Sequence, residues 1–114
     1  TKHHAETIAQ LKQLKRQGAT HTIHLISDVW RSRDAFVELA HAKLRALPTQ
    51  SAYLVDYQLE DGRPRIALIY GTYSGLDAAQ LAVKNFPEEV AHYKPMLKRL
   101  DSVILQMEKF QPSE

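Results

Sequence analysis

Six histidines, His3, His4, His21, His24, His41 and His92, are the obvious candidates for chemistry, and there is no cysteine. Without a thiol there is no cysteine nucleophile, no disulfide and no cysteine-ligated zinc. The histidines fall in no HExxH spacing, no GxSxG elbow occurs, and no glycine run is arranged to cradle a phosphate. A metal site needs converging ligands, and the spacing of these six supplies none. His3-His4 reads as a chance surface pair or the remnant of an added tag. These absences point away from an enzyme and toward a binding module without cofactor or metal.

Binding chemistry is more promising. Planar hydrogen-bonding groups beside apolar surface suit sugar recognition. The strand pattern predicts one open sheet face presenting Thr22, His24, Ile26, Leu54, Asp56, Gln58, Arg65, Ala67 and Ile69. The candidate ligand-binding set is Thr22, His24, Asp56, Gln58 and Arg65. Trp30, the only tryptophan, follows the first strand and is placed to rim that face. A purely structural role competes for each. Arg65 pairing across a hairpin with Asp56 or Gln58 contributes up to about 1 kcal/mol, and a loop tryptophan commonly serves as a buried anchor. The two kinds of role are compatible, and a large uncovered apolar sheet face usually marks a partner.

The elements that must hold these residues follow from periodicity. Ile8, Leu11 and Leu14 mark a narrow stripe on a helix over 5–17, with Lys12, Lys15 and Arg16 toward its end and Gly18 as its stop. A strand over 20–27 puts Ile23 and Leu25 on one side and Thr22, His24 and Ile26 on the other. Residues 28–31 read as a loop. Phe36, Leu39, Ala40, Leu44 and Leu47 form the core stripe of a helix over 33–47, capped by Ser32 and ended by Pro48.

Asp61-Gly62 suits a two-residue type I′ turn between strands over 51–60 and 63–70. That loop sets Gln58 opposite Arg65, Tyr57 opposite Ile66, Val55 opposite Leu68 and Tyr53 opposite Tyr70. Tyr53, Val55, Tyr57, Ile66, Leu68 and Tyr70 then form the core face. Ser74 and Asp77 suggest a capping box at the head of a second helix, running to about residue 85, with Ala79, Ala82, Val83 and Phe86 inward. Glu88-Glu89 suits a further helical turn. A last strand is expected near 102–105, and 107–114 reads as a weakly ordered tail. The order strand, helix, hairpin, helix, strand predicts an α+β fold of βαββαβ, ferredoxin-like type. A four-stranded antiparallel sheet carries two helices on one face, and the N-terminal helix is extra. That helix is expected at a sheet edge or flank, because the open face is too polar to bury cheaply.

The run Gly62-Arg63-Pro64-Arg65-Ile66-Ala67-Leu68-Ile69-Tyr70-Gly71-Thr72-Tyr73-Ser74 resembles the third strand of the SPOR family, which ends in a glycine before an aromatic-containing turn. The alanine-rich helix with Asp77, Ala78, Ala79 and Ala82 follows. Phe86-Pro87-Glu88-Glu89-Val90 and Lys94-Pro95-Met96, leading to Leu100 and Val103, are similar to the SPOR domain of a cell-division protein. Thr22-Ile23-His24-Leu25 resembles the family's first strand. The resemblance covers about 20–106, leaving 1–19 as a helix and linker and 107–114 as a tail. It implies a periplasmic, non-catalytic module that binds peptidoglycan glycan strands lacking stem peptides. Such a module positions a larger envelope protein at the division septum, with envelope or division proteins as further partners. His24 stands where the family often carries glutamine, and Arg65 where related domains carry an aromatic. Those two departures define the alternative, a SPOR-like protein-interaction domain that has lost glycan binding.

Composition agrees with a single domain: 114 residues, 44% hydrophobic and 25% charged. The formal charge of +2 is far from a dense basic footprint. The open face of the two central strands, with Thr22, His24, Arg65, Ala67 and Ile69, also offers no aromatic for base stacking, so nucleic acid is not expected. No apolar run reaches the length of a membrane span. Because the chain starts at Thr1 rather than Met, the expectation is a fragment of a longer, membrane-anchored protein, with the anchor outside it.

Overall fold

The computed structural model describes residues 2–47, 51–92 and 94–110. The helices are α1 (Lys2–Arg16), α2 (Arg33–Lys43), α3 (Leu76–Lys84), α4 (Glu88–Ala91) and α5 (Leu100–Glu108). The strands are β1 (His21–Val29), β2 (Ala52–Gln58), β3 (Pro64–Tyr73) and β4 (Met96–Arg99). The sheet has four strands in the order β2-β3-β1-β4, with β1 and β3 central, and every pairing is antiparallel. This is the expected α+β arrangement. Phe36 and Ala40 of α2, Leu44 just beyond it, and Ala82 and Val83 of α3 pack with Ile23, Leu25, Ile66 and Leu68 on one face of the sheet.

The opposite face is also covered. Leu11 of α1 and Leu100, Val103, Ile104 and Met107 of α5 form a second core with Val55, Ala67 and Ile69. The expectation of α1 at an edge or flank is therefore overturned, since Leu11 is fully buried in the core that contains Ile69. A helix with so narrow a stripe gains most from apolar sheet surface, and α5 supplies the rest of the cover. Gly18, at φ 108°, ends α1. There Gly18 N–H donates to the Lys15 carbonyl at 3.0 Å and Ala19 N–H to the Leu14 carbonyl at 3.0 Å. This is a Schellman turn, which delivers the chain directly into β1.

Helix α5 replaces the strand expected at 102–105. Leu100, Val103, Ile104 and Met107 recur at helical spacing and all four are buried. Met107 and Phe110 are core residues rather than tail. The strand lies earlier, at Met96–Arg99, paired with His21–His24.

The hairpin is shifted by one residue from the expected register. Gly62 N–H donates to the Leu59 carbonyl at 2.9 Å, and Leu59 N–H to the Arg63 carbonyl at 3.0 Å. The loop is thus Glu60-Asp61-Gly62, with Gly62 at φ 89°, the three-residue form with a left-handed third residue. The Asp61 carboxylate fixes it by accepting the Arg63 N–H at 3.1 Å. One residue of slip exchanges the faces of β2 relative to β3. Tyr53, Val55 and Tyr57 join Arg65, Ala67 and Ile69 beneath α1 and α5, while Leu54, Asp56 and Gln58 join Ile66 and Leu68 toward α2.

Strand β1 is irregular twice. Its pairing skips Gly71 and then Leu25. The second bulge turns Ile26, expected on the open face, onto the α2 side, where it packs in that core. Residues 28 and 29 extend β1 rather than forming a loop, and Trp30–Ser32 is one 3-10 turn. Helix α2 gives way to a 3-10 turn at Leu44–Ala46, and Leu39, expected in the core stripe, is 45% exposed. Neither Ser32 nor Ser74 caps a helix through its side chain: Gly75 is the N-cap of α3, and the Ser74 hydroxyl donates to the Gly18 carbonyl at 3.1 Å. Pro48 and the tail beyond 110 lie outside the described residues.

Candidate functional site

Helix α5 crosses the sheet without closing it completely. Between α5, the hairpin and β4 a half-open cleft of about 360 Å3 remains. Its floor is Ala67 and Ile69 of β3. His24 and Ser27 enter from β1, Tyr57 from β2, Arg65 from β3, Met96 and Lys98 from β4, and Gln106 from α5. Alternation brings them together. His24 sits opposite Ile69 on one side and Met96 on the other. Tyr57 sits opposite Arg65. The bulge at Leu25 returns Ser27 to this face opposite Ala67, where its hydroxyl accepts from Arg65 Nη2 at 3.0 Å.

The electrostatics are one-sided. No aspartate or glutamate is among the described residues lining the cleft. Arg63 at the rim is neutralised by Asp61, whose Oδ2 accepts from its Nε at 2.6 Å. No carboxylate pairs with Arg65 or Lys98 among the described residues. His24 feels this. Burial first, then the charges of Lys98 and Arg65, push its pKa below the ordinary histidine value, opposed by a hydrogen bond to its own backbone. The imidazole is therefore neutral near pH 7 and offers one donor and one acceptor.

Of the six residues singled out from the sequence, the cleft brings together two, His24 and Arg65. Thr22 is adjacent on β1 but fully buried, and its hydroxyl is spent on the Gly71 carbonyl at 2.7 Å. Asp56 and Gln58 lie on the opposite face because of the hairpin slip. Asp56 is buried there, with Oδ1 3.5 Å from Arg33 Nε. Trp30 does not line the cleft. Its ring tilts against Phe110 at a centroid distance of 5.8 Å, and Phe110 in turn meets His4 at 5.3 Å. That cluster packs Phe110, just beyond α5, against α1 and the Trp30–Ser32 3-10 turn.

Ser27, Tyr57, Met96, Lys98 and Gln106 of the cleft escape the sequence reading. The bulge at Leu25 returns Ser27 to this face, the two-residue loop places Tyr57 in the core, and the other three belong to β4 and α5, which lie elsewhere than expected. The helical spacing of Leu100, Val103, Ile104 and Met107 is the signal that identifies α5 and with it Gln106. Among the described residues no three histidine, aspartate or glutamate side chains converge as metal ligands. No described helix is long and apolar enough to cross a membrane. A larger groove, about 860 Å3, runs beside the edge strand β2 between α1 and α2. Its described lining carries His3 and His41 but no lysine, arginine, aspartate or glutamate.

No protein-family model, curated protein or solved structure matches the chain. The SPOR resemblance therefore rests on the sequence motifs alone.

Proposed function

We propose that the chain is a non-catalytic, SPOR-like module that binds denuded peptidoglycan glycan through the cleft beside α5 and positions a larger envelope protein in the periplasm. The observation that supports this is the meeting of His24 and Arg65 with Tyr57 and Gln106 over an apolar floor. An aromatic ring, a planar guanidinium, an amide and a neutral imidazole are suited to sugar hydroxyls and acetamido groups. The volume falls within the range of about 300–1,000 Å3 usual for small-ligand sites, so a short stretch of strand would enter rather than a broad wrap of polymer. The test is retention of the purified chain on sacculi with and without amidase treatment. Retention on treated sacculi alone, lost in His24→Ala and Arg65→Ala, is the expected result. Absence of retention on both overturns the reading.

The protein-interaction alternative draws support from a different observation. Helices α1 and α5 cover much of the sheet face, while the groove beside β2 is larger and nearly uncharged. Under that alternative, removal of residues 1–17 uncovers apolar sheet, and the shortened chain binds protein rather than sacculi.

A further inference from the structure

Two cations, Arg65 and Lys98, line the cleft with no counter-charge. Arg65 is half-buried and comes from a central strand; Lys98 stands on β4 across from Thr22. Like charges over an apolar floor repel more strongly than they do in water. Ion pairs occupy Arg63 at the rim and Arg99 and Lys12 elsewhere on the surface, so acidic partners are available to this fold, yet none lines the cleft. The Arg65 guanidinium gives one N–H to Ser27, which fixes its orientation and leaves other donors of a planar fork free. Such a fork matches a carboxylate in two parallel hydrogen bonds, while lysine acts as a point charge.

We infer that the cleft is an anion site, taking the carboxylate of an acidic sugar on the free donors of Arg65 within the field of Lys98, with the sugar body against Tyr57 and Met96. This rests on the glycan reading of the same cleft and adds which chemical group is recognised. The occupant follows from charge complementarity and size. A net charge of +2 and two unpaired cations suit one compact anion rather than a nucleic-acid backbone. Tyr57 and the half-exposed Met96 supply the apolar surface that a bare inorganic ion would not use.

The experiment titrates the isotope-labelled full chain with two probes. One is short amidase-released glycan with free carboxylates; the other is the same glycan with its carboxylates converted to methylamides. Expected are shifts centred on His24, Tyr57 and Lys98, and affinity for the blocked form about tenfold or more weaker, the scale of a lost charge-assisted hydrogen bond. Lys98→Gln should weaken the native probe and leave the blocked probe almost unchanged, whereas Arg65→Gln should weaken the native probe more strongly and the blocked probe in part. Lys98 is exposed, so its variant serves even if Arg65→Gln disturbs folding. Equal affinity for both probes, or shifts mapping away from the cleft, overturns the anion assignment while the glycan reading stands. Binding of neither probe overturns both.

Discussion

Tyr57 stands directly opposite Arg65 across the β2–β3 hairpin, and the same guanidinium is held from β1 by Ser27 at 3.0 Å. An aromatic ring and an oriented cation thus form one wall of the cleft. Tyr57→Ala should weaken retention on amidase-treated sacculi by roughly fivefold or more, the scale of a truncated aromatic contact. Tyr57→Phe should keep most of it. Equal loss in both variants would assign the effect to the hydroxyl rather than the ring.

Two glycines on β3 and its hairpin should differ in cost. Gly62 has φ 89° with nothing near the position of an added Cβ, so Gly62→Ala carries only backbone strain, about 1 kcal/mol. Gly71 has φ 70°, and an added Cβ there would collide with the Tyr73 ring. Gly71→Ala should therefore be the more destabilising of the two, as read by urea denaturation.

Leu11 is fully buried between α1 and the sheet, whereas Leu81 on α3 is 61% exposed. Leu11→Ala should cost about 2–5 kcal/mol, the range for a deleted core leucine. Leu81→Ala should stay within about 0.5 kcal/mol. A small effect at Leu11 would show that α1 is not part of the cooperative core.

Asp56 provides a control for the faces. It is buried on the α2 side beside Arg33, and its Oδ1 has no hydrogen-bond partner. Asp56→Ala should leave sacculus retention within about twofold, a negligible change in binding energy. It should alter stability by roughly 1–3 kcal/mol, since it removes a buried charge while freeing a partly exposed arginine. A large loss of retention at unchanged stability would return Asp56 to the ligand face.

The order of elements through α3 was legible because the core stripes repeat at helical spacing: Phe36 and Ala40 on α2 with Leu44 just after it, and Ala79, Ala82 and Val83 on α3. The site was legible only in part. A two-residue Asp61-Gly62 loop puts the tyrosines of β2 on one side with Ile66 and Leu68, and the three-residue loop of the structure reverses this. With both faces covered, β2 is free to present Leu54 to one core and Val55 to the other. Alternation alone does not then choose between the two registers. The choice lies with the loop, where Gly62 takes the left-handed position. The bulge at Leu25 is likewise invisible to a period-two pattern, since Leu25 and Ile26 are equally apolar. His24 and Arg65 survive because His24 precedes that bulge and Arg65 lies on β3, whose face assignment does not depend on the slip.

His24 gives the last prediction. Burial and the charges of Lys98 and Arg65 depress its pKa below the ordinary value of about 6.5. The unfolded chain therefore binds this proton at a higher pH than the folded chain does. Stability from this group is present above about pH 6.5 and falls as pH drops toward the lowered folded pKa. His24→Gln should flatten that part of the stability profile. An anion on Arg65 within the field of Lys98 offsets the two charges that depress the imidazole, and the described residues lining the cleft, Tyr57 and Gln106 among them, add no acid to oppose it. Bound anion should then raise the His24 pKa. By reciprocity, affinity for the carboxylate probe should increase as pH falls between the bound and free values. Imidazole resonances followed by NMR across pH 5 to 8, the range where histidine ordinarily titrates, read both effects in one sample. A His24 pKa unchanged or lowered by saturating probe would place the anion away from this imidazole and its two cations.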